Sequence, residues 1–177
     1  MRTERRTRLE LTDAVRLEQF DSRNLAGKYL TFKLDTEIYG LEILSVHEII
    51  GIMHITHVPR TPSFVRGVIN LRGKVISVVD LRVQFGMERC DDSSRTCIIV
   101  VQVALDAATC TVGLIVDEVS EVVDIRPAQI EPPPSFASDD GTGFILGVGK
   151  LGDKVVMLLD TDRILSRSEL AAMTTAL

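Results

Sequence analysis

Apolar and polar residues alternate with a period of two in short runs from residue 29 to about residue 160, the pattern of half-buried strands. Residues 29–34, 38–43, 46–50, 52–58, 64–71 and 75–81 read as a first set of strands, each rich in branched or aromatic side chains. In the run 46–50 the outward members are His47 and Glu48 or their alternates. Residues 35–37 form a tight turn, and Gly73 suits the turn before residue 75. Pro59 and Pro62 lack amide donors, so residues 59–62 cannot be an interior strand. After a polar connector at 86–94, residues 96–105, 111–116, 119–125, 144–148 and 154–159 give a second set. No long helical period separates the strands, which argues against a parallel α/β fold. Closure would remove the exposed edges of such apolar strands, so two antiparallel barrels of about five strands each are expected.

The second set repeats the first. Gly40, Leu41, Ile43, Val46, Glu48 and Ile49 recur 73 residues later as Gly113, Leu114, Val116, Val119, Glu121 and Val122. Pro59 recurs as Pro132, and Ser63-Phe64 as Ser135-Phe136 with a slip of one. Beyond an insertion in the polar stretch 137–143, Gly67, Val68, Leu71, Lys74, Val75 and Asp80 recur 80 residues later as Gly147, Val148, Leu151, Lys154, Val155 and Asp160. The expected division is an N-terminal extension at 1–27, a first barrel unit at 28–88, a second at 95–165, and a C-terminal helix and tail at 166–177. Repetition does not decide between adjacent barrels and barrels that exchange strands. In the extension, Leu9, Val15, Leu17 and Phe20 suit either a short amphipathic helix or a disordered tail. Near the other end, residues 164–173 read as a helix, with Ser166 as cap and Glu169 as its capping-box partner.

Charge and composition narrow the function. A net charge of -5 and a pI near 5.2 argue against a nucleic-acid backbone as partner. No apolar run reaches the roughly 18 residues a membrane span needs, and Arg-rich residues 1–8 lack the apolar core of a secretory signal. Cys90, Cys97 and Cys110 are odd in number and lack metal-binding spacing, which leaves the cytoplasm as the expected compartment.

Catalytic chemistry is not in evidence. His54 and His57, with His47 upstream, find no fourth ligand of a familiar type. Period-two spacing divides the acidic residues Asp117, Glu118, Glu121 and Asp124 between faces. The glycines do not build a phosphate loop, and no nucleophile sits in a recognisable Ser/His/acid or Cys/His set. The chain is therefore expected to be no enzyme, with no catalytic, cofactor or metal residue. Glu48 and Arg72 stand out, being charged residues beside apolar strands. Either both face solvent or pair with each other, or each borders an apolar groove and fixes the register of a docking partner.

The run Gly67-Val68-Ile69-Asn70-Leu71-Arg72-Gly73, followed by Val78-Val79-Asp80-Leu81-Arg82, resembles the CheW family of chemotaxis coupling proteins. Val112-Gly113-Leu114-Ile115-Val116-Asp117-Glu118-Val119 carries a second signature in the right order, and the likeness spans about residues 29–165. The resemblance implies a mostly β fold of two five-stranded SH3-like barrels, intertwined or adjacent, with a short C-terminal helix. It implies a non-catalytic adaptor without cofactors that joins the cytoplasmic hairpin tips of transmembrane methyl-accepting chemoreceptors to the regulatory domain of a CheA-type histidine kinase. Such a protein is cytoplasmic and meets the membrane only through receptors. The resemblance further assigns partner contacts to Arg72, Glu48, Val46 and Val75. Ser77 departs from the family pattern, standing where many members carry proline. Two rival readings are a coupling protein of a pilus or other chemosensory-like pathway and a small-barrel nucleic-acid-binding protein.

Overall fold

The structure is a computed structural model that describes residues 20–105, 108–134 and 143–175. In chain order its elements are β1 (Gly27–Leu34), β2 (Glu37–Glu42), β3 (Val46–Gly51), β4 (Val65–Leu71), β5 (Lys74–Asp80) and α1 (Leu81–Gln84). There follow β6 (Cys97–Leu105), β7 (Ala108–Val116), β8 (Glu118–Ile125), β9 (Ile130–Glu131), β10 (Ile145–Leu151), β11 (Lys154–Leu159) and α2 (Arg167–Thr175). The helix reading at Leu9, Val15 and Leu17, the match at Ser135-Phe136 and the inserted residues 137–142 lie outside the described residues.

The strands form a six-stranded sheet, ordered β8-β1-β2-β11-β10-β9, and a five-stranded sheet, ordered β3-β6-β7-β5-β4. Each sheet takes hairpins from both halves of the sequence. They join through one parallel pair per sheet, β2 with β11 and β5 with β7. Gly40 lies opposite Leu158 in the first pair and Gly113 opposite Val78 in the second, so the two joints obey the internal repeat.

The expectation of two closed, antiparallel, five-stranded barrels is not met. Both sheets are mixed and open: their outermost strands are not hydrogen-bonded to each other, and one sheet has six strands. The linkers that would have to complete a ladder explain why. Residues 52–58, expected as a strand, pair only through Thr56, whose N–H and C=O exchange 2.9 Å bonds with Val68 before Pro59 and Pro62 end the possibility. Bounded by Pro127 and Pro132, the matching linker yields only the two-residue β9.

Burial on both sides explains the long apolar runs. Ile98, Ile99, Val100 and Val101 of β6 are all fully buried, although alternate side chains leave opposite faces of the sheet. Ile99 and Val101 join Leu30, Phe32, Leu41 and Leu114 in a central core fed by both sheets. Ile98 and Val100 pack instead with Ile69, Ile76, Val78 and Ile115, while Tyr29, Ile125, Val156 and Leu158 form the counterpart on the six-stranded sheet.

Two helices complete the molecule. The Ser166 Oγ accepts the Glu169 N–H at 3.2 Å and Glu169 Oε2 accepts the Ser166 N–H at 2.7 Å, a reciprocal capping box that starts α2. Leu170 and Met173 then enter the central core. Periodicity gave no sign of α1, which is a single turn capped by Asp80, whose carboxylate accepts the Arg82 N–H at 3.0 Å. Its Gln84 amide donates to the Ile164 carbonyl and to Glu169, so α1 anchors the approach to α2.

Candidate functional site

The open side of the five-stranded sheet brings together two residues that are far apart along its hydrogen-bonded order. Arg72 lies at the tip of the β4–β5 hairpin and Glu48 on β3, the opposite outer strand. The Arg72 guanidinium nevertheless donates to Glu48 Oε2 at 2.9 Å. A side-chain pair thus spans a gap that no backbone ladder closes.

The turn that presents Arg72 follows from its sequence. Leu71 pairs with Lys74, leaving Arg72 and Gly73 as the two loop residues, with φ of 51° and 84°. Positive φ at both positions is the signature of a type I′ turn, whose backbone twist suits a hairpin. Asn70 Oδ1 accepts the Gly73 N–H at 2.9 Å and holds the turn. Glycine takes this conformation freely, whereas a residue with a β-carbon does so at a cost of roughly 1–2 kcal/mol.

Exposure differs sharply across the pair. The side chain of Arg72 is 73 % exposed and that of Glu48 is 19 %. Glu48 Oε1 is buried and accepts no hydrogen bond. An ion pair with one partner so exposed contributes about 0–1 kcal/mol to stability, so the fold gains little from this arrangement. Its chemical capacity is to offer a guanidinium at the surface with a carboxylate fixed beneath it.

Apolar side chains flank the pair. Val75, beyond the turn on β5, is 60 % exposed, and Ile49, next to Glu48 on β3, is 43 % exposed. Val46 is half-buried and packs on the central core. Periodicity does not single out Ile49, because a bulge between Val46 and Glu48 shifts the register, nor the exposed Leu44, which lies in the single turn Ile43–Ser45 before β3. The bulge leaves His47 and Ile49 outward and half-buries Glu48.

The other candidates disperse. His47, His54 and His57 are exposed, and no group of His, Cys, Asp and Glu suited to a metal occurs among the described residues. Asp117 is committed to structure: it accepts from Arg82 at 2.6–3.0 Å and from the Asp35 N–H at 2.6 Å. Burial by itself would raise its pKa, but the Arg82 and Asp35 hydrogen bonds and the guanidinium charge outweigh it and hold the carboxyl below the ordinary aspartate range. Cys90, Cys97 and Cys110 are free thiols.

Comparison with known proteins gives this geometry its context. A family model described as the CheW-like domain matches residues 28–169, most of the chain. The chain belongs to the CheW family. It is 38 % identical over 144 residues to the chemotaxis protein CheW of Klebsiella aerogenes, covering 81 % of this chain and 84 % of that protein. With CheW of Rhizobium meliloti the identity is 34 % over 146 residues, covering 82 % and 92 % of the two chains. The crystal structure of scaffolding protein TtCheW from Thermoanaerobacter tengcongensis superposes with a TM-score of 0.71 at 38 % identity, covering 81 % of this chain and 90 % of that one. CheW-family proteins are non-catalytic adaptors that link chemoreceptors to a CheA kinase, and this chain is one of them. The matches support this chemotaxis reading over the nucleic-acid one.

Proposed function

We propose that the open side of the five-stranded sheet is the face on which the cytoplasmic hairpin tip of a methyl-accepting chemoreceptor docks. Arg72 and Glu48 set the orientation of the incoming helices, Val75 supplies apolar contact, and Val46 supports the strip from below. The regulatory domain of a CheA-type histidine kinase binds a separate face, so that a change in receptor packing reaches the kinase through a stiff mediator. The protein works in the cytoplasm and meets the inner face of the membrane only through receptors; no helix among the described residues is long and apolar enough to cross a bilayer.

One observation carries this reading: an arginine in a left-handed turn reaches across an unpaired seam to a half-buried glutamate, with exposed valine and isoleucine alongside. Helix-in-groove recognition combines such apolar anchors with charges that fix register. Many weak contacts then add up when an array engages them together. Co-sedimentation with receptor-bearing vesicles and kinase tests the proposal on an Arg72→Glu variant. Removing one partner of a docked charge pair costs about 2–5 kcal/mol, so receptor recruitment falls at least about tenfold while the isolated variant melts nearly as before. Unchanged recruitment would remove Arg72 from the receptor face.

A further inference from the structure

The outer strand of the six-stranded sheet, β8, presents a bare edge: among the described residues only β1 pairs with it. Along that edge Val122 is 49 % exposed, and Glu121 and Asp124 are exposed as well. Glu118 is engaged by Arg95 at 3.7 Å, but the carboxylates of Glu121 and Asp124 form no ion pair or hydrogen bond with another described residue. Even Lys28, opposite Asp124 on β1, makes none. Alternation sends Val122 and Asp124 to one face of β8 and Glu121 to the other. Glu121 and Val122 are the counterparts of Glu48 and Ile49, yet the arginine that engages Glu48 has only Gly152 as its counterpart.

An open strand edge with an exposed apolar residue is a liability that folds cover. The chain holds a segment of matching charge, pattern and reach. Residues 1–8 carry four arginines and one glutamate. As an extended run, residues 5–11 put Arg5, Leu9 and Leu11 on one side and Arg6 and Arg8 on the other. Gly27 of β1 pairs with Ile125 of β8, and Phe20 packs against the same cluster as Val123 and Ile125, so the chain enters the fold beside β8. The nineteen residues before Phe20 span up to about 60 Å when extended, against about 26 Å for the eight residues of β8. We propose that residues 5–11 lie extended along the free edge of β8, with Leu9 and Leu11 against Val122 and with Arg5, Arg6 and Arg8 meeting Asp124 and Glu121 from the two faces. The occupant of this edge is the chain's own N-terminal extension, on the other sheet from the Arg72–Glu48 pair.

Hydrogen–deuterium exchange in the full chain tests the contact. The amides of residues 118–124 are expected to exchange about tenfold faster in the triple variant Arg5→Glu, Arg6→Glu, Arg8→Glu than in the native protein, and the difference shrinks in about 0.5 M salt. Glu121→Arg together with Asp124→Arg has the same effect. Combining the two sets of reversals restores protection, which a general loosening of the fold would not do. Protection is also independent of protein concentration, because segment and edge belong to one molecule. Unchanged exchange in the arginine triple variant, which leaves β8 itself intact, would overturn the proposal. So would protection that grows with concentration, since a second copy would then be the occupant, or a folded combined variant that stays unprotected.

Discussion

The two sheets grow from matching sequence, yet among the described residues only the five-stranded one carries a charged strap across its open side. There Arg72 reaches Glu48 at 2.9 Å. In the six-stranded sheet the matching turn is Gly152-Asp153, with Gly152 at φ 60°, and the matching acid, Glu121, is exposed on β8. An ion pair near this seam, Lys150 with Glu131 at 2.7 Å, joins neighbouring strands instead of bridging the opening. The turn geometry therefore does not require arginine. Glycine meets the same backbone demand without strain, so the reason for Arg72 lies in what its side chain reaches.

The linkers differ in a parallel way, and the largest expected effect tests that difference. A β-carbon on Gly67 would stand 2.1 Å from the Thr56 carbonyl oxygen, at φ 149°, whereas one on Gly147 would stand 3.0 Å from the Glu131 carbonyl oxygen. Gly67→Ala is expected to lower the unfolding free energy by about 3–5 kcal/mol, and Gly147→Ala by about 1 kcal/mol. Urea titration of the two variants measures both. Equal losses would mean that the single bridge at Thr56 and the two-residue β9 constrain their sheets alike.

A second asymmetry is the bond set that ties the sheets together. Asp117 follows β7 and holds both Arg82 of α1 and the backbone of Asp35 in the β1–β2 turn. Under the repeat its counterparts are Leu44, which is 87 % exposed, and Asp162, which accepts the Ala104 N–H at 2.8 Å. Among the described residues, the counterpart side thus joins the sheets through the single Ala104–Asp162 bond, without an arginine held by the acid. Asp117→Asn is expected to cost about 1–3 kcal/mol at neutral pH, where the native carboxylate is ionised. The folded-state pKa of Asp117 is depressed, so its contribution is complete above the ordinary aspartate pKa and is lost as pH falls through the lower folded value. The gap between native protein and variant should thus narrow in acid. Thermal melts at neutral pH and near pH 3 check this, and a gap independent of pH would refute the ionic origin.

The smallest effect separates the two exposed valines. Val75 and Val155 occupy matching positions and are 60 % and 53 % exposed. Serine at either site should change stability by no more than about 0.5 kcal/mol. Only Val75→Ser should weaken receptor recruitment, by about three- to tenfold in the co-sedimentation assay, as for a contact of moderate weight at an interface. Equal weakening by Val155→Ser would remove the distinction between the two faces.

Much of the strand layout was legible because alternation and turn chemistry are local. The hairpins β1–β2, β4–β5 and β10–β11 begin and end within a few residues of where the apolar runs and their glycines or acidic turns put them. The Ser166–Glu169 box likewise fixed the start of α2. Pairing between distant strands leaves no such local trace. Nothing in the texture of residues 38–41 says that they lie parallel to residues 156–159. For the same reason alternation does not reveal closure, since an edge is defined by the absence of a partner elsewhere in the chain. Residues 52–58 have strand-like texture but make one bridge, because their outer side meets no further strand before the prolines intervene. At the candidate site, the sequence singled out Glu48 and Arg72 as charges among apolar strands. Their mutual approach depends on the curl of a sheet, and the outward turn of Ile49 depends on a bulge.

The crossed construction of the sheets has a temporal consequence. The β1–β2 hairpin leaves the ribosome long before its parallel neighbour β11, which ends at Leu159, has been made. A nascent polypeptide must carry that unfinished edge, and the apolar side chains around it, until the strands between them have been made. Assembly is then dominated by distant pairings formed late, which slows folding and lengthens the interval in which chaperones can bind.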